Sequence, residues 1–143
     1  MKRIQGLYVI EKEGTPILVH ERYTQGKVEA ESVLVVNFIT AFQLFLAELG
    51  DSKFYTIELK NSNIHSYYDK ENDLYFIMKC ECQSEFASGV LKNLRKLFFS
   101  KLSKEMISFQ ELDNGIKEDL RKSMEELIKP KANIETFLEV LKF

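Results

Sequence analysis

Apolar residues first alternate with polar ones in short runs, then crowd into one long run, then alternate again before settling into a helical three-and-four spacing. IQGLYVIE (residues 4–11) and PILVHERY (16–23) are β-rich and joined by KEGT, which reads as a hairpin turn around Gly14. Pro16 fits there because the first residue of a strand can lack a ladder donor. After the polar connection TQGKVEAES comes VLVVNFITAFQLFLAELG (33–50), a long helix closed by Gly50 and Asp51. Three more strand-like runs follow, FYTIELK (54–60), IHSYYD (64–69) and LYFIMKCEC (74–82), separated by the turn-rich NSN and KEND. Residues 74–78 are apolar on both parities, as a central strand covered on both faces requires.

From residue 84 to about 102 the period becomes helical, with Phe86, Val90, Leu94, Leu97 and Phe98 on one stripe and Lys92, Arg95, Lys96 and Lys101 opposite. After SKEM a further helix runs to about residue 128 on Leu112, Ile116, Leu120, Met124 and Leu127, and Pro130 stops it. Asn133 then caps a short last helix, IETFLEVLKF, with Ile134, Phe137, Leu138 and Leu141 on one face. The expected fold is of the α/β (α+β) class: a five-stranded antiparallel sheet in the order β-β-α-β-β-β-α-α, with an extra C-terminal helix. Residues 1–128 form one domain and 129–143 a helical extension.

The long run is apolar nearly all the way round, whereas a surface helix needs one apolar stripe. At about 100° per residue, Leu34, Val35, Phe38, Ile39, Ala41, Phe42, Phe45, Leu46 and Leu49 gather on a broad side suited to a sheet. The other side carries Val33, Val36, Asn37, Thr40, Gln43, Leu44, Ala47 and Glu48, with one charge in a chain that is 29% charged. Val33, Val36, Thr40, Gln43 and Ala47 repeat at the spacing that lets another helix lie alongside. Two accounts of this side stand open. The terminal helix folds back over it, or Val33, Val36, Thr40, Gln43, Leu44 and Ala47 form a partner interface; both hold if that helix is exchanged between subunits.

A chain of 143 residues can bury roughly 70% of its unfolded surface, so neither disulfide nor metal is needed for stability. A net charge of -2, from 20 basic and 22 acidic residues, leaves no electrostatic footprint for nucleic acid. The first residues break into charge too soon for a signal peptide, and the long run is too short and polar for a span. Cys80 and Cys82 sit too close along an extended strand to bridge comfortably and read as buried small hydrophobes in a reducing cytosol. His20 and His65 fall on different strands with no carboxylate or cysteine at ligand spacing, so no metal or cofactor is expected. No phosphate loop, nucleophile elbow or dinucleotide fingerprint occurs, and carboxylate pairs such as Glu11/Glu13 and Glu125/Glu126 lie in charged, solvated segments, so no catalysis is expected.

The opening GLYVIEKEGTPIL, the passage LYFIMKCECQSEFASGVLKNLRKLFF and the helix FQELDNGIKEDLRKSMEELI together resemble a longin domain. That fold is shared by longin SNAREs, clathrin-adaptor small and medium chains and several exchange-factor assemblies. The resemblance covers about residues 1–128 and rests on pattern. It implies a profilin-like sandwich, with one helix on one sheet face and two on the other, no catalysis, and a docking role in membrane traffic. It also makes FYTIELK an edge strand, where Tyr55, Ile57 and Leu59 could meet a partner while Glu58 and Lys60 either guard the edge or simply face solvent. No SNARE heptads follow, which argues against a fusion protein. The related roadblock fold is the alternative architecture. The expected function is thus scaffolding or regulation of a small GTPase or trafficking complex in the cytoplasm, at most peripherally on a membrane. A homodimer, another longin or roadblock-type protein, or a GTPase would be the partner. The competing reading is a ligand sensor with a cavity lined by Tyr8, His65 or Tyr67.

Overall fold

The computed structural model of the chain describes residues 3–21, 41 and 54–128. Five strands are present: β1 (Arg3–Glu11), β2 (Pro16–Glu21), β3 (Phe54–Glu58), β4 (Asn63–Asp69) and β5 (Leu74–Glu81). They are followed by α1 (Ser84–Glu105), a 3-10 turn (Phe109–Glu111) and α2 (Asn114–Ile128). All pairings are antiparallel and the sheet order is β2-β1-β5-β4-β3. The two hairpin systems are therefore joined through β1 and β5, far apart in sequence and adjacent in space.

Alternation explains why β5 is central. Leu74, Phe76, Met78 and Cys80 point to one face and are fully buried, while Tyr75 and Ile77 on the other are at most 5% exposed. On the first face they join Leu7 and Val9 of β1 and two helices: Ala87, Val90, Leu91, Leu94, Phe98 and Leu102 of α1, and Leu120, Met124 and Ile128 of α2. The second face is also buried, through Tyr8, Ile10, Ile64, Tyr75 and Ile77. Gly6 matters there, since a Cβ would stand 2.6 Å from the Tyr8 hydroxyl, which donates to Glu21.

Aromatic edges lock α1 to the sheet. Phe76 meets Phe98 and Phe99 edge-on at 5.8 and 6.1 Å. Arg95 lies over Phe99 and donates to Asp69 at 3.1 Å, so one guanidinium ties the helix to the β4–β5 turn. The buried Asp69 carboxylate also accepts from the Glu71 backbone and the Asn72 side chain, which satisfies a charge that would otherwise be costly to bury. α2 is fixed over β2 by Arg121 donating to the Val19 carbonyl and by His20 against Glu125 at 2.6 Å. Glu125, expected as a solvated carboxylate, is thus half-buried and paired.

The element order agrees with the sequence pattern for these residues, and the boundaries shift for local reasons. β3 stops at Glu58 because Leu59 already bonds back to the Ser62 carbonyl in the turn. α1 continues to Glu105 and closes on Met106 in the left-handed region, with the Ile107 amide donating to Leu102. The helix expected straight after SKEM is split: a 3-10 turn capped by Ser108 and Glu111 precedes α2. The run at 33–50, with Val33, Val36, Thr40, Gln43, Leu44 and Ala47, lies outside the described residues, as does the terminal helix at 134–143. Ala41, placed by periodicity on the sheet-facing side, is helical and exposed. No helix of the described residues is long and apolar enough to cross a membrane.

Two stability measurements check this account. Phe98→Ala should lower unfolding free energy by about 3–5 kcal/mol in urea titration, because it removes the ring that α1 seats on Phe76. Met106→Gly should raise it by about 0.5–1 kcal/mol, since relief of left-handed strain in a non-glycine residue exceeds glycine's entropic penalty.

Candidate functional site

At one end of β4 and β5 the hairpin register gathers the chain's chemistry. The Asp69–Leu74 turn sets Asn63 against Cys80 and His65 against Met78, and β3 places Thr56 against His65. All of these lie on the helix-covered face. Past Glu81 the ladder ends, the chain bends at Cys82, and Gln83 stands at the N-cap position of α1, whose first residue is Ser84. His65, Cys80 and Cys82 are buried together, and their ligand atoms lie within 4.8 Å of one another.

Cys80 and Cys82 are joined as a disulfide, which corrects the expectation that they would not bridge comfortably and would sit as separate small hydrophobes. Two residues of extended strand span about 6.6 Å, longer than disulfides prefer. At the bend the Cα–Cα distance is 5.3 Å, well inside that range. The expectation of burial itself agrees with the structure.

The hydrogen bonds fix the imidazole's proton. The Cys82 carbonyl can only accept, so His65 Nε2, 3.2 Å away, donates to it alongside Asn63 Nδ2 at 3.0 Å. Nδ1 of the neutral ring is then an acceptor, and the Thr56 hydroxyl donates to it at 2.9 Å. Thr56 in turn accepts from Ser84 at 3.1 Å. A one-way relay runs from Ser84 through Thr56 and His65 to Cys82. Phe54 stacks on the ring at 6.0 Å. Burial holds the His65 pKa below its ordinary value, and the backbone bond to Cys82 opposes this only in part.

Two expectations about the histidines are overturned. His65 does have cysteines at ligand spacing, because residues remote in sequence share one sheet face, and His20 does have a carboxylate beside it, Glu125 of α2. The signal for the first was present in the sequence: the KEND turn sets odd positions of β4 against even positions of β5, which brings His65 and Cys80 to one face, with Cys82 just beyond the strand end. Nothing local announced the second, which depends on how α2 lies across β2.

The three residues suggested to line a sensor cavity do not share one face of the sheet. Tyr8 belongs to the second face of the sheet, whereas His65 and Tyr67 are on the first. Of the candidate edge residues, Tyr55 and Ile57 are half-buried on the second face, and Leu59 follows the strand with 38% exposure. Glu58 and Lys60 are exposed, and β3 is the terminal strand of the sheet. No known family model matches the chain, and no curated protein matches it either.

Burial of a neutral imidazole makes stability depend on pH in a defined direction. Above its ordinary value near 6.5 the ring is neutral in both folded and unfolded chains. As pH falls below that value, the unfolded chain takes up a proton that the folded chain refuses, so stability decreases until the lowered folded value is reached. Urea midpoints taken between pH 7.5 and 5.0, as about-neutral and mildly acid conditions around that value, should fall more steeply for the native chain than for His65→Gln.

Proposed function

We propose that this chain is a non-catalytic, longin-like docking domain that scaffolds or regulates a small GTPase or a membrane-trafficking complex. One observation carries the reading: β3 ends the sheet, and among the described residues no strand pairs with its outer edge. An edge of this kind offers backbone donors and acceptors to a partner's strand. Exposed Leu59 adds an apolar contact, and Glu58 and Lys60 beside it disfavour indiscriminate pairing.

Two further features support the resemblance. Two helices pack on one face of a five-stranded antiparallel sheet, as a longin-type sandwich requires. The opposite face is apolar and buried, and it is the face to which the broad apolar side of residues 33–50 is suited. In this reading Val33, Val36, Thr40, Gln43, Leu44 and Ala47 supply a second docking surface. Burying that uncharged side at about 25 cal/mol per Å² would drive association, less the freedom lost on binding.

Light scattering of the purified chain, alone and with trafficking GTPases in each nucleotide state, tests the reading. Association is expected, and Leu59→Lys or the pair Val36→Glu and Ala47→Glu should weaken it by about tenfold or more, equivalent to about 1.4 kcal/mol, without moving the thermal midpoint. A chain that stays monomeric and binds none of these proteins overturns it.

A further inference from the structure

The Cys80–Cys82 bond adds little as a staple. Closing so short a loop restrains the unfolded chain only about half as much as a 15-residue loop would. Yet it sits in an expensive setting, with a buried histidine and two hydroxyls arranged around it. Such polar side chains are costly to bury unless every member is satisfied.

We propose that His65, Cys80 and Cys82, once the disulfide is reduced, form a buried site for one zinc-class cation. The donor set suits that ion: two thiolates balance a double positive charge, and imidazole nitrogen completes a borderline-soft environment. Donors around one zinc stand roughly 3.5–3.8 Å apart, against a present spread of at most 4.8 Å. On reduction the two sulfurs part from bonding distance towards that separation, and the imidazole stands within the present spread. Three protein donors leave a tetrahedral ion one further position.

The hydroxyl relay is what makes the histidine usable from either nitrogen. With Nε2–H on the Cys82 carbonyl, the ring is held as metal-bound histidines are, by a backbone acceptor, and Nδ1 is the lone pair that Thr56 gives up. Should Nε2 be the ligand, Thr56 and Ser84 reverse, because each hydroxyl can donate or accept, and Nδ1–H donates to Thr56. The adjacent N-terminus of α1, beginning at Ser84, favours negative charge on Cys82.

The chemistry balances. Two equivalents of a glutathione-class thiol cleave the S–S bond and leave as their own disulfide, depositing two protons and two electrons as the Cys80 and Cys82 thiols. The cation then displaces both thiol protons to solvent and bonds two thiolates and the neutral ring. A glutathione-class disulfide reverses the sequence: it takes the two electrons from the thiolates and two protons from solvent, leaves as two thiols, re-forms the Cys80–Cys82 bond and so releases the ion.

The test uses the full chain, reduced with a phosphine and titrated with zinc, with cobalt(II) as a coloured substitute. One equivalent should bind, with a thiolate-to-cobalt charge-transfer band, and the oxidised chain should bind none. Cys80→Ser and His65→Ala should each weaken zinc binding by about 100-fold or more. Zinc should also protect both thiols of the reduced chain from alkylation, a readout that needs no variant to fold. Failure of the reduced chain to bind zinc, or binding that persists unchanged in Cys80→Ser, overturns the site.

Discussion

β5 must be buried on both faces at once, and most of the structure follows from that requirement. Its even positions, Leu74 to Cys80, need the α1–α2 layer, and its odd positions, Tyr75 and Ile77, need cover on the second face. A strand so placed cannot be an edge. β1 and β4 are therefore recruited to its two sides, and β2 and β3 are left as the sheet's ends. The β1–β5 ladder, which spans most of the chain, is the long-range closure that the local hairpins alone would not supply.

Two clusters of polar groups set the α1 helix against this apolar frame, and each solves a placement problem. Asp69 holds the β4–β5 turn and, through Arg95, the middle of α1. At the opposite end of the same hairpin, the Ser84–Thr56–His65–Cys82 relay ties the start of α1 to β3 and β4. The helix is thus registered against the hairpin at both ends by bonds in which the buried groups have partners, while the phenylalanines between supply area without direction.

Element order was legible because it is written in period and punctuation. The both-parity run at Leu74–Met78 marked the central strand, and the Leu94, Phe98, Leu120 and Met124 spacings marked two helices that share one core. Stripe edges were harder to read: Ala87, Leu91, Leu102 and Ile128 are buried where Phe86, Leu97 and Leu127 are half-covered, because the buried stripe keeps the three-and-four spacing but is centred one flank over from the one expected. The site was missed for a different reason. Spacing along the chain separates His65 from Cys80 by fifteen positions, whereas the hairpin brings both to one face. A bridge between Cys80 and Cys82 was ruled out by extended-strand geometry, which no longer applies at the bend where the strand has ended.

Thr56 belongs to both proposed sites, since it lies on the terminal strand and in the relay. Their independence can nevertheless be argued. Strand pairing between β3 and β4 uses backbone groups, while the relay uses the Thr56 hydroxyl alone. Reversing that hydroxyl exchanges a donor for an acceptor and leaves φ and ψ untouched, so the edge offered to a partner keeps its shape whichever way the protons point. A valine at position 56 keeps the branched shape that suits a strand and deletes the switchable group. The chemistry of the buried cluster and the docking proposed for the edge are therefore separable by one side-chain atom, although a single strand carries both.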